Sequence, residues 1–205
     1  MDHESPFKPS NLHLEQQFWS EGFNRIMGLD EAGRGCLAGP VVAAGVVLPV
    51  GHTIEGVTDS KALSPKQRDE YYNQIYGTAT VVRVWSQPVE VIEELNILHA
   101  SLDAMRHCAE DEDPAPDLLL VDGNQRVPTL IPQQTIVKGD AKSASIAAAS
   151  IIAKVTRDRF MEQLSSQYPA YDWATNKGYP TRAHREAIAT HGITPHHRPS
   201  FRLIR

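Results

Sequence analysis

The sequence predicts an α/β layer protein with a mixed central sheet flanked by helices, and three observations predict it. Short apolar runs rich in β-branched residues, at 26–30, 40–48 and 117–122, are interleaved with segments of helical periodicity. The links between them are short and contain no Pro/Gly-rich linker, which favours one main domain for 205 residues. Two of the apolar runs end on an acid, and open α/β sheets collect their chemistry at the carboxyl ends of adjacent strands.

Each element has a local reason. Residues 1–24 read as a short polar leader, helical at its end. Residues 26–30 and 40–48 (PVVAAGVVL) read as strands, β-branched and apolar. Ser64-Pro65-Lys66-Gln67 reads as a helix start, with a cap, a proline in the first turn and glutamine at the capping-box position, and that helix should run to about Tyr76. Residues 78–87 alternate as a third strand. Residues 89–95 and 97–110 read as helices, the second with Ile97, Leu98, Leu102, Met105 and Cys108 on one face. Residues 117–122 (DLLLVD) form a buried strand, and 134–137 (QTIV) another. Residues 141–167 read as one long Ala/Ile-rich helix ending before Pro169. A last helix spans 181–191, with Gly192 just beyond its end.

Composition narrows the function. A hydrophobic fraction of 41% and a charged fraction of 22% are those of an ordinary globule. The first 24 residues are polar, without a secretory pattern, and the longest apolar stretch, 36–50, is too short to span a bilayer and is broken by Pro40 and Pro49. No membrane association is expected. The two cysteines, Cys36 and Cys108, lack metal-type spacing and suit a reducing, cytoplasmic location. The net charge of −5 argues against a nucleic-acid partner, yet from Lys177 to Arg205 six Lys/Arg face a single acid, Glu186. A basic end on an acidic chain is either a nucleic-acid footprint or a solvated tail.

The acids point to a site. Asp30 ends one strand and Asp122 another, and they would face each other if those strands are neighbours; each could equally begin a turn. Glu31 joins Asp30 only if the strand breaks its pleat there, which Gly33 and Gly35 would permit. Asp140, before the long helix, is a fourth candidate or a plain helix cap. Asp158, far along that helix, reads as a surface acid paired with Lys154 at i,i+4. Gathered carboxylates repel unless a cation lies between them, and an all-oxygen set suits Mg²⁺ or Mn²⁺. Two such ions can activate a water and stabilise the leaving oxygen in phosphodiester hydrolysis.

Two other classes compete. Residues 33–38 (GRGCLA) fit the G-x-G-x-x-G/A dinucleotide pattern, with Asp59 about twenty residues on, which would make the chain an oxidoreductase. Against this, Gly39-Pro40 leads into a strand rather than a helix, and Asp30 and Glu31 would repel a pyrophosphate. A non-catalytic nucleic-acid binder would use the basic end and need no clustered acids.

Seven segments together resemble the ribonuclease HII family: GLDEAGRGCLAGPVVAAGVVL, DSKALS (59–64), NILHASLDAM (96–105), VDGN (121–124), KGDAKSASIAAASIIAKVTRD (138–158), NKGYPT (176–181) and HGITPHHRPSF (191–201). They run in family order over residues 25–201. The long-leader relative, ribonuclease HIII, fits less well, since 24 residues precede the first motif. The resemblance implies a ribonuclease H-like fold: a short leader (1–24), a catalytic domain (25–167) and a small, basic, helical, substrate-binding subdomain (168–205). It implies Mg²⁺- or Mn²⁺-dependent hydrolysis, with two ions in catalysis, of the RNA strand of RNA/DNA hybrids. It also implies incision 5′ of ribonucleotides embedded in duplex DNA, giving 3′-hydroxyl and 5′-phosphate ends. A monomer is expected. By position, the family's catalytic and metal-binding carboxylates fall on Asp30, Glu31, Asp122 and Asp140. The loop that reads the 2′-hydroxyl falls on Gly33, Arg34 and Gly35, the tyrosine that packs on the sugar falls on Tyr179, and Lys61, Lys142 and Lys154 would contact phosphates. Cys36 departs from the pattern, which has proline there; it is expected to pack rather than react. His196 and His197 are expected in a basic patch near the substrate.

Overall fold

The computed structural model describes residues 12–52, 54, 63–111 and 114–204. Lys61, Asp59 and most of the 59–64 segment lie outside the described residues. Five strands form one mixed sheet in the order β3-β2-β1-β4-β5: β1 (Ile26–Ala32), β2 (Val41–Val47), β3 (Val81–Gln87), β4 (Leu118–Asp122) and β5 (Gln133–Ile136). β1 and β2 and β2 and β3 pair antiparallel, whereas β1, β4 and β5 run parallel. The last paired residues of β1 and β4 are Leu29 and Val121. Asp30 and Asp122 are therefore the next residues on adjacent parallel strands, as the strand-end acids required.

Helices cover both faces. On one lie α2 (Pro65–Thr78) and α4 (Ala144–Ser165); Ala147, Ala148, Ile151 and Ile152 of α4 pack with Ala44 and Val46 of β2 and Ile75 of α2. On the other lies α3 (Val89–Glu110), whose Ala104, Met105 and Cys108 pack on Met27, Leu29, Ala43 and Val121. Each fully buried isoleucine in these layers contributes about 1.5–3 kcal/mol. α4 lies very close to β1: a Cβ at Gly28 would sit 2.2 Å from the Ser145 carbonyl carbon.

Local signals mostly act where the sequence placed them. Ser64 caps α2 with the reciprocal Gln67 bond. α3 breaks at Asn96, whose φ is 65° and whose Oδ1 accepts from Leu98 N and His99 N, so the two helices expected at 89–95 and 97–110 join in one kinked element. α1 (His13–Ser20) closes the end of the leader. The long helix is shorter than expected. Gly139–Ala141 is a separate 3₁₀ turn, and Ser143, not Asp140, caps α4 by accepting from Ile146 N. Beyond α4, the short α5 (Trp173–Asn176) and α6 (Arg182–His191) follow; Trp173 and Ile188 bury against Met161 and Leu164 of α4 and Leu37 and Ala38 of the 33–40 loop.

Candidate functional site

At the carboxyl ends of β1 and β4 the structure gathers like charges. Asp30 is buried, at 7% exposure, and its carboxyl is raised well above the ordinary 3.8, first by burial and then by the neighbouring Glu31 and Asp122. A hydrogen bond with Ser150 of α4 and one from Glu31 N (2.7 Å) oppose that rise. Asp122 Oδ1 accepts from Gly139 N at 2.6 Å, which ties the end of β4 to the turn carrying Asp140, the next residue. Glu31 and Asp122 thus both lie within electrostatic reach of Asp30, and Asp140 stands on the turn that Asp122 holds.

The expected break in the pleat does not occur. β1 keeps regular register with β2 through Ala32, opposite Val42, because β2 hydrogen-bonds it along its whole length. Alternation then puts Asp30 on the α4 face with Gly28, and Glu31 on the other. Glu31 stays at the same pole because β1 is unpaired on its β4 side beyond Leu29. The chain turns only at Gly33, where φ is +100°. Glu31 Oε1 lies 3.1 Å from Arg34 Nη1.

Two buried arginines hold that turn. Arg157 of α4, 1% exposed, donates to Pro40 O (2.9 Å), Ala38 O (2.9 Å) and Lys177 O (2.8 Å). Arg198, 0% exposed, donates to Gly39 O twice and to Arg34 O. Burial, with Arg157 alongside, lowers Arg198 to about 10, still charged at neutral pH. The two glycines of the loop differ. A Cβ at Gly33 would sit 2.1 Å from Arg157 Nε, so side chains are excluded there by the protein itself. At Gly35 φ is not positive and nothing lies within 4 Å of a Cβ. The fold does not require glycine at 35, and the bare backbone there is open to an approaching ligand.

The loop is stitched to the C-terminal segment: Leu37 N donates to Gly178 O, Gly39 N to His196 O, and Arg198 N to Leu37 O. This fixes Tyr179, whose ring is exposed at 39% and has Lys154 Nζ 5.4 Å from its centroid. Burial raises the Tyr179 hydroxyl, which shares a hydrogen bond with Cys36. Cys36 is fully buried and its thiol is pushed up by burial, so it packs, as expected. Lys154 pairs with Asp158 at 2.8 Å, and Lys142 Nζ donates to Val137 O.

The histidines and the basic end depart from expectation. His197 is 1% exposed in a cluster with Trp173 and His184: Trp173 Nε1 donates to His184 Nε2, which lies 3.2 Å from His197 Nε2. Burial, then His184, lowers His197 to about 4. It is a neutral core residue, not part of a basic patch; two neighbours in sequence diverged, and one turned inward. The basic excess is likewise largely engaged: Lys177 pairs with Glu162, Arg182 with Glu186, and Arg185 donates to Arg202 O and Leu203 O.

The comparisons with known proteins meet this geometry. The family model described as Ribonuclease HII matches residues 27–204. A Ribonuclease HII of Salinibacter ruber is 51% identical over 95% of this chain and 99% of its own. The chain belongs to the ribonuclease HII family. Membership makes it a ribonuclease H, a hydrolase acting on RNA/DNA hybrids. Among solved structures, RNase HII of Archaeoglobus fulgidus, in a PCNA:RNase HII complex, aligns with a TM-score of 0.74 at 28% identity, covering 88% of this chain and 96% of that one. A Bst-RNase HIII in complex with Mn²⁺ shares the fold, with a TM-score of 0.71 at 20% identity over 96% of this chain and 71% of that one.

The family is divalent-metal dependent, and the donor chemistry here fits: oxygen donors only, one of them buried and made hard to ionise by like charges with no cation among its influences. Among the described residues, no three acidic, histidine or cysteine side chains stand close enough to hold an ion as they are. Sequence reasoning missed the two clamping arginines and Ser150 as parts of the ribonuclease HII site. A signal for Arg157 existed: it shares a spacing of four with Ala153 and Met161, both buried, so a charge interrupts an apolar stripe.

Proposed function

We propose that this ribonuclease HII incises duplex DNA 5′ of embedded ribonucleotides, and cuts the RNA strand of hybrids, leaving 3′-hydroxyl and 5′-phosphate ends. The observation that carries the reading is the parallel adjacency of β1 and β4, which puts Asp30, Glu31 and Asp122 at one pole beside the 33–35 loop. Asp30, Glu31, Asp122 and Asp140 would hold Mg²⁺ or Mn²⁺, two ions in catalysis. Such ions, when bound, stabilise charge on a phosphate and make water more acidic. In the Gly33-Arg34-Gly35 loop, Gly33 makes the turn and Gly35 leaves bare backbone open to a ribose, where the 2′-hydroxyl separates RNA from DNA. Arg34, paired with Glu31, belongs to the same 2′-hydroxyl-reading loop. Tyr179, on a ring edge held by the Gly178–Leu37 link, packs on the sugar, and Lys154 and Lys142 stand near as phosphate contacts; Lys61 would be another.

In this reading residues 25–167 form the catalytic domain and 168–205 the subdomain that faces nucleic acid. The dinucleotide alternative is disfavoured because the residues after Gly39 form β2, not the helix a pyrophosphate needs. Among the described residues no helix is long and apolar enough to cross a membrane. We further propose a cytoplasmic location, in keeping with two free, buried cysteines, and a monomeric state, which sedimentation checks. The deciding experiment incubates the protein with duplex DNA carrying one ribonucleotide, with and without Mg²⁺ or Mn²⁺. A metal-dependent nick 5′ of the ribonucleotide is expected; a nick elsewhere, or one formed in excess chelator, refutes the reading.

A further inference from the structure

One carboxylate does not belong to the acid pole yet reaches its support. Glu15, on α1, is 1% exposed. Its Oε1 accepts from Ser143 Oγ at 2.6 Å, Ser145 Oγ at 2.7 Å and Ser145 N at 3.0 Å. Its Oε2 is buried and meets no donor among the described residues. Burying a carboxylate with one oxygen unanswered is costly, so a single well-placed oxygen must repay it. That oxygen joins the leader to the first turn of α4, 128 and 130 residues away in the chain. The free N–H groups and dipole of a helix start favour such a partner.

What the first turn of α4 does makes the contact informative. Ser143 N and Lys142 N both donate to Gly139 O, so the cap and the 139–141 turn move together. Gly139 N in turn holds Asp122 Oδ1. Further along the same helix, Ser150 supports Asp30. α4 is thus the back wall of the pole, and Glu15 ties its first turn to α1 at the point where Ser145 and Ile146 pass so close to β1 that a side chain at Gly28 would collide with them. We propose that Glu15 is a positioning residue for the metal-holding acids, acting through Ser143 and Ser145 on the turn that carries Asp140 and on the Gly139–Asp122 bond. The inference rests on the reading of those acids as the metal site.

The test is Mn²⁺ binding to the full chain without nucleic acid, read from the EPR signal of free Mn²⁺, with circular dichroism as the check on folding. Outer partners of metal ligands are worth about 10–100-fold in affinity, and Glu15 acts one step further out, so Glu15→Ala should weaken Mn²⁺ binding about tenfold. Ser145→Ala, which keeps the Ser143 cap, should weaken it about threefold by the same scaling. Asp122→Asn is the control and should lose most binding. If Asp122→Asn loses Mn²⁺ while Glu15→Ala and Ser145→Ala bind it as the parent does, the positioning role is wrong and the site reading stands; a lowered melting temperature alone would leave Glu15 merely structural and overturn the inference. If Asp122→Asn binds normally, the site reading itself fails and takes the inference with it. Should Glu15→Ala not fold, Ser145→Ala decides on the same terms.

Discussion

The two walls of the site are built on opposite electrostatic terms. On the acid wall, Asp30 is buried against the charge it must carry, and the neighbouring Glu31 and Asp122 add to that cost. On the arginine wall, Arg157 and Arg198 are buried just as deeply, yet each guanidinium makes three hydrogen bonds to main-chain carbonyls, and among the described residues neither forms an ion pair. The arginine wall is complete without a ligand and holds a loop in shape. The acid wall gathers like charge around a buried carboxyl, a cost that a bound cation would relieve. The contrast separates what the fold needs from what the chemistry needs.

Breaking the acid wall should have the largest effect on activity. Asp30→Asn should cut cleavage by more than about 100-fold, since even outer partners of metal ligands cost about 10–100-fold. The same variant should melt higher at pH 7 without metal. The sign follows from the raised carboxyl: between its ordinary 3.8 and its folded value the native state binds the proton more tightly, so ionised Asp30 opposes folding above that window. The gain should vanish below pH 3.8, where Asp30 is protonated in both states. Nicking assays and thermal melts across pH check both halves.

Breaking the arginine wall should act on stability first. Arg157→Met leaves three carbonyls without donors and should cost about 3 kcal/mol or more in urea unfolding. The two loop glycines sharpen the contrast within one turn. Gly33→Ala, strained by its positive φ and by Arg157, should cost about 2 kcal/mol. Gly35→Ala should leave unfolding unchanged to within about 0.5 kcal/mol, yet slow incision at a single ribonucleotide by about 10–100-fold through misplacement. Equal effects of the two on stability would refute the division of roles. The smallest effect belongs to the histidine cluster behind Tyr179. His197 is depressed from 6.5 to about 4, so the unfolded chain takes up the proton first and stability is lost as pH falls through that window. His197→Phe should flatten the dependence of melting temperature on pH between those values.

Much of this was legible in the sequence where local rules decide. Ser64 and Gln67 announce their helix, Thr181 caps its own through His184 N, and Asn96 breaks α3 between two apolar periods. Asp30 and Asp122 were legible as strand ends, because an acid closing an apolar run has few other places to go. What could not be read was set by distant partners. Glu31 needed no broken pleat, since the pairing of β1 outlasts that of β4 on one side only. Asp140 is not a cap because it lies in a separate 3₁₀ turn and α4 starts only at Ala144, next to Ser143. His197 and Arg198 look like a charged tail in sequence, and become core only because the 37–39 loop folds onto them.

The most direct test of the central claim is a titration of the Asp30 side-chain carboxyl by carbon-13 NMR, without and then with Mg²⁺. The account predicts a carboxyl that protonates well above the ordinary range in the metal-free protein and is drawn down sharply once Mg²⁺ is present. A titration that Mg²⁺ leaves unmoved would contradict it.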